Sequence, residues 1–144
     1  MSRSVTLLDS INQFYDDPKN SKYLVDILDK KGSVSLRNLE WFITNYSKTK
    51  NLTYTTKTGK LFTVHCAYKS TLDGYSKKLF DPFCRAYKID YEIPNSGGVT
   101  INTTVAQLNF IRWCITNNII EYIIKNKENL KNMKKNARPP LIGH

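Results

Sequence analysis

Nine lysines and arginines fall between residues 43 and 88 of this 144-residue sequence, against only two acids, Asp73 and Asp81. Six of the nine tyrosines, Tyr46 through Tyr91, are interleaved with them. Lysine contacts phosphate as a mobile point charge, while aromatic faces stack on bases. Lys57, Lys60, Lys77, Lys78 and Arg85 are therefore the candidate phosphate contacts, and Tyr54 is a candidate stacking ring. The turn Lys57-Thr58-Gly59-Lys60 and the stretch Ser76-Lys77-Lys78 could each grip a backbone. A helical projection adds Trp41, which falls opposite the apolar stripe of its helix, among Arg37, Thr44 and Lys48. An aromatic among cations is what a base-stacking platform looks like. The bland alternative is that Trp41 packs inward and that lysines merely protect exposed strand edges.

Other chemistries find less support. Phosphate-cradling, dinucleotide, zinc-protease and nucleophile-elbow motifs are all missing. Of two histidines, His144 is terminal, and nothing in the sequence positions His65 against Cys84 as a nucleophile pair. The basic block also lacks the clustered carboxylates of a metal-dependent nuclease. No catalytic residue, metal or cofactor is implied. Cys66, Cys84 and Cys114 are odd in number, widely spaced and read as reduced, buried thiols. His65 and Cys66, on a strand, would point to opposite faces.

The elements that must carry these residues follow from periodicity. Apolar spacing predicts helices over about 4–16, 21–31 and 35–48, with Asp17-Pro18 ending the first and Gly32 capping the second. Ser33 or Ser35 opens the third. The period then changes: Thr53–Thr56 and Leu61–Tyr68 read as strands around the Gly59 turn. Residues 70–80 read as a short helix stopped at Asp81-Pro82. Ala86–Ile93 and Val99–Asn102 read as a second strand pair around Gly97-Gly98. Thr103 or Thr104 caps the most apolar helix, 104–117, and Asn117-Asn118 supplies a left-handed break. Arg112 on that helix needs a partner, expected to be a carboxylate such as Asp90 or Glu92; the functional alternative is a recessed anion contact. Helices, four antiparallel strands, then helices give an α+β class: a small antiparallel sheet of about four strands packed by N- and C-terminal helices. Residues 1–137 form the single domain, with a helical lead-in (1–33) and a core (34–124); residues 125–144 form a basic, partly frayed tail.

The net charge of +10 is local rather than general. Residues 1–42 balance to zero, 43–88 carry +7, 89–118 carry −1 and 119–144 carry +4. With 12% aromatic and 40% hydrophobic residues, this is a folded basic domain and not a disordered polybasic tail. No apolar run approaches the roughly 20 residues of a membrane span, so no membrane insertion is expected. The first residues lack the apolar core of a secretory signal.

Three stretches carry a resemblance. They are Leu36-Arg37-Asn38-Leu39-Glu40-Trp41-Phe42-Ile43-Thr44-Asn45-Tyr46-Ser47-Lys48, Tyr75-Ser76-Lys77-Lys78-Leu79-Phe80-Asp81-Pro82-Phe83-Cys84-Arg85, and Thr103 to Trp113. Together they resemble a family of short, basic, uncharacterised proteins encoded by large nucleocytoplasmic DNA viruses, including giant amoebal viruses, over roughly residues 34–124. The resemblance brings no chemistry; it implies a viral protein of the host cytoplasm, viral factory or virion. The expectation is a non-enzymatic DNA- or RNA-binding protein used in genome packaging or handling. The rival is a structural or adaptor subunit that meets an acidic protein partner through its basic face. An exposed apolar patch near Trp41 or Ile119–Ile124 would mark that rival. Oligomeric state is left open.

Overall fold

The computed structural model describes residues 3–29 and 34–128. Its elements run α1 (Arg3–Tyr15), α2 (Pro18–Leu28), α3 (Leu36–Trp41), a π-helical turn (Phe42–Tyr46), α4 (Ser47–Lys50), β1 (Thr53–Thr55) and β2 (Leu61–Thr63). There follow α5 (Val64–Tyr75), α6 (Lys77–Phe80), β3 (Lys88–Glu92), β4 (Thr100–Thr104), α7 (Val105–Thr116) and α8 (Ile119–Lys125). The class is α+β. The four strands form two separate antiparallel pairs, β1–β2 and β3–β4, rather than one sheet. Thr53 faces Thr63 in the first pair and Lys88 faces Thr104 in the second.

Local chemistry sets most boundaries. Asp17 caps α2 by accepting from the Lys19 N–H, with Pro18 at the first helical position. Ser35 and Asn38 form a reciprocal capping box at the start of α3. Thr104 caps α7 by accepting from Gln107 N, and Asn118 takes the left-handed conformation (φ 61°) that separates α7 from α8. Gly32, expected to cap α2, lies outside the described residues.

The second strand is shorter than its composition implies. β2 ends at Thr63, and His65, Cys66, Ala67 and Tyr68 belong to α5. Val64 and Tyr68 are buried, with Leu72 and Tyr75 half-buried, so a helical spacing runs through what reads as strand alternation. Helix α5 starts against the preceding segment, where Val64 N donates to Leu52 O. The π-helical turn is the other departure. Its extra residue per turn shifts every later side chain around the axis, so the projection that groups Trp41 with Thr44 and Lys48 fails beyond Phe42.

Helix α7 lies at the centre. Val105, Ala106, Leu108, Phe110, Ile111 and Cys114 are all at most 3% exposed. It packs against α1, α2, α6, α8 and β4. The helices of the N-terminal segment join the same core through Leu7, Ile11, Tyr15, Leu24 and Ile27. No helix among the described residues is long and apolar enough to cross a membrane.

Two buried tyrosines give a direct test of hydrogen-bond energetics. Tyr15 OH donates to Leu108 O at 2.7 Å, whereas Tyr91 OH is buried with no hydrogen-bond partner among the described residues. The same atom deletion should then have opposite signs. By chemical denaturation, Tyr15→Phe is expected to destabilise by about 1 kcal/mol, and Tyr91→Phe to be neutral or stabilising by up to about 1 kcal/mol. Equal losses in both would refute this reading of the core.

Candidate nucleic-acid interface

The sequence-predicted cations are all at the surface. Arg37 is exposed in the first turn of α3, Lys48 on α4, Lys57 and Lys60 in the β1–β2 turn, and Lys77 and Lys78 on α6. Arg85 is exposed in the loop between α6 and β3. Among the described residues one ion pair forms, Lys57 Nζ to Glu121 Oε1 at 2.6 Å. No other cation of the basic block forms an ion pair among the described residues.

The two predicted stacking rings are less available. Trp41 is half-buried, packs against the core and tilts toward Tyr46 at 6.2 Å. Tyr54 is half-buried, stacks on Tyr122 (5.0 Å, 12°) and donates its hydroxyl to Asn117 O at 2.7 Å. Burial pushes the Tyr54 phenol well above its ordinary range, with smaller contributions from Cys114 and Tyr122. Tyr54 and Lys57 do come together, in an open cleft of about 200 Å³ completed by Asn118, Glu121, Tyr122 and Lys125. There Asn118 Oδ1 accepts from Lys57 N at 3.0 Å, which ties the turn to the α7–α8 junction.

The exposed aromatics lie elsewhere. Phe83 is 52% and Tyr87 48% exposed, on either side of Arg85. Asp81 organises this loop: its carboxylate accepts from Phe83 N and its carbonyl from Cys84 N. At the other end Tyr87 adopts φ 55°, and its carbonyl accepts from Val105 N. A left-handed tyrosine costs about 1 kcal/mol, so the loop holds an unfavourable conformation that leaves its rings outside. Lys77 and Lys78 precede the loop, and Lys88 follows it. Periodicity does not mark these rings: Phe83 belongs to no helix or strand, and Tyr87, which reads as part of a strand over Ala86–Ile93, lies just before β3, which begins at Lys88. The signal was Asp81-Pro82, which removes the following residues from a core-facing repeat.

The remaining sites are quickly placed. Cys114 is buried, and burial raises its thiol pKa, but Cys66 is exposed and Cys84 half-buried, so the expectation of three buried thiols fails for these two. Cys66 escapes because it lies on a solvent-facing turn of α5 rather than on a strand. No group of three or more His, Cys, Asp or Glu residues is placed to hold a metal among the described residues. Arg112 does not meet Asp90 or Glu92. Asp90 instead accepts from Asn102 Nδ2 across the β3–β4 pair, at 3.0 Å, while Arg112 bonds to neutral oxygens. In the Ile119–Ile124 run only Ile124 is exposed; Ile119, Ile120 and Ile123 are buried.

His65 reports the local field. Partial burial, and then the charges of Lys48 and Lys69, lower its pKa below the usual 6.5. Its neutral form is thus favoured by folding, so its contribution to stability is present above pH 6.5 and is lost as pH falls through the depressed value. In an NMR titration the His65 midpoint is expected below 6.5, moving upward in Lys48→Gln. An unchanged midpoint would mean that the two groups share no field.

The family described as "Family of unknown function (DUF7197)" matches residues 2–139. An uncharacterized protein, L507, of Acanthamoeba polyphaga mimivirus is 38% identical over 128 residues, covering 84% of this chain and 49% of the relative. The chain therefore spans about half the length of that relative, so shortness is not a trait the two share. The giant-virus connection does hold for it. No solved structure matches.

Proposed function

The chain belongs to the DUF7197 family, whose function is unknown, and from its own surface we propose that it is a non-enzymatic protein that binds nucleic acid with unpaired bases. The observation that carries this is the 81–87 loop, where Phe83 and Tyr87 stand exposed around Arg85. Two rings flanking a guanidinium, with Lys77, Lys78 and Lys88 beside them in sequence, supply what single-strand binding requires: stacking faces and phosphate contacts. Lys60 and Lys48 are further exposed cations of the basic block. Lys57 contributes less, because Glu121 neutralises it. The mimivirus relative supports a viral setting; within it, the role we propose is handling or packaging of viral DNA or RNA, in host cytoplasm, viral factory or virion.

The other reading is an adaptor that uses the same face on an acidic protein. Leu61, 71% exposed, and Val99, 49% exposed, favour it, since apolar side chains outside the basic surface gain nothing from phosphates. Salt and nuclease separate the two.

Fluorescence anisotropy with single-stranded DNA and RNA oligonucleotides at low salt is the test. Binding is expected at micromolar protein, and log K should fall with log salt at a slope of about −2 to −3.5 if three to five cations act. Phe83→Ala with Tyr87→Ala should weaken binding by about 1–3 kcal/mol per base lost from the stack, without changing that slope. Glu121→Gln, which frees Lys57, should tighten binding. No binding at low salt ends the proposal, and so does binding indifferent to both ring deletions.

A further inference from the structure

Among the described residues Arg112 is the one lysine or arginine that is half-buried rather than exposed. It projects from α7, and Nη1 donates to Ser10 Oγ of α1 at 2.6 Å. Nη2 donates to Asn109 Oδ1 at 2.8 Å and reaches the Tyr75 hydroxyl at 3.4 Å. All three partners are neutral. No carboxylate lies within 4.0 Å among the described residues. A guanidinium has five N–H donors; here Nε–H and one Nη1–H are left without a protein partner among those residues. A half-buried arginine normally acquires a counter-charge, because partial desolvation without one is unfavourable.

The surroundings are built rather than incidental. Asn109 is 1% exposed, and its Nδ2 donates to Leu79 O at 2.9 Å. One side chain thus holds the guanidinium and also fixes α6 against α7. Leu79 directly follows Lys77 and Lys78, and α6 starts two residues after Tyr75. Arginine 112 is therefore anchored at the place where the lysine pair is stapled to the core. Between Tyr75 and Lys77, Ser76 adopts φ 76° and ψ 164°, a conformation that is strained for any residue but glycine.

We propose that the half-buried Arg112, whose guanidinium Ser10, Asn109 and Tyr75 hold and whose partner Asn109 also bonds the α6 segment that carries Lys77 and Lys78, binds a phosphate group. Three positive charges suit a phosphate dianion better than a single carboxylate. The free guanidinium N–H groups and the hydroxyls give it directional partners. The source is either a free phosphate or the terminal phosphate of a nucleic acid strand. This site shares Lys77 and Lys78 with the proposed single-strand surface, but it does not require the exposed rings of the 81–87 loop.

The test titrates the full chain with inorganic phosphate against chloride at matched ionic strength, read by phosphorus-31 line broadening and by melting temperature. Saturable binding at about 1 mM is expected, together with a rise in melting temperature that chloride does not give. Arg112→Lys should weaken it about tenfold; Ser10→Ala and the pair Lys77→Gln/Lys78→Gln should weaken it about threefold each. If Arg112→Lys unfolds the chain, the other two variants still decide. A 5′-phosphorylated oligonucleotide that binds more tightly than its 5′-hydroxyl counterpart, in an Arg112-dependent way, supports the site with a strand end as source. Equal binding of the two, with the phosphate response intact, supports it with a free phosphate as source. If neither oligonucleotide binds but phosphate does, the nucleic-acid reading fails and this one stands. No phosphate response beyond chloride, or a response that none of the variants changes, overturns it.

Discussion

The burial of α7 is the constraint on which the other elements depend. A twelve-residue helix that is apolar on nearly every face cannot lie on a surface, so it must be enclosed. Helices α1, α2, α6 and α8 and strand β4 do this from different sides. Enclosure creates a problem for Asn109 and Arg112, the polar stripe of the same helix. The solution is local: Asn109 is satisfied by Leu79 O and by the guanidinium, and Arg112 reaches out past it to Ser10 and Tyr75. The polar stripe therefore orients α1, α5 and α6 around the central helix. An all-apolar α7 would leave that arrangement to packing alone.

Aromatic rings carry the same core outward. Trp41 touches Tyr46, Tyr46 stacks on Phe42, and Phe42 meets Tyr122, which stacks on Tyr54. From Tyr54 the contacts continue through Phe62 and Trp113 to Phe80, and from Phe80 to Tyr75. Each contact adds roughly 0.5–1.5 kcal/mol beyond area burial. The π-helical turn serves this chain, because it sets Phe42 and Tyr46 in near-parallel stacking (18°). Most aromatic residues are thereby committed to structure. Aromatic content alone was a poor guide to a base-binding surface, and only rings outside this chain and outside the core are free for it.

Helix positions, caps and fold class were legible in the sequence because they depend on short-range chemistry. Asp17-Pro18, Ser35, Thr104 and Asn118 act within one helical turn. What was not legible depends on long-range placement. Val64, Tyr68, Leu72 and Tyr75 satisfy a helical repeat, yet their first members also satisfy a strand, and only the position of Leu52 O decides where α5 begins. The acidity of Asp90 and Glu92 points to the wrong partner for Arg112: the three residues that reach it are uncharged, and two of them, Ser10 and Tyr75, are 102 and 37 positions away. The four strands were found; that they pair in two separate ladders depends on α5 and α6 intervening between them.

The same distinction bears on the charge. Segment arithmetic placed +7 between residues 43 and 88, and the fold divides that total into unequal parts. Lys57 is neutralised by Glu121, which lies 64 positions away and outside the block. At His65, partial burial first and the charges of Lys48 and Lys69 second disfavour protonation. Lys77 and Lys78 gain a third cation, Arg112, from a segment whose own net charge is −1. A surface that recruits its most constrained positive charge from an acidic stretch of sequence is not explained by composition. The fold holds it there through Asn109, which bonds the guanidinium and the Leu79 carbonyl at once, so the position of Arg112 beside α6 is fixed by a long-range contact and not by local sequence.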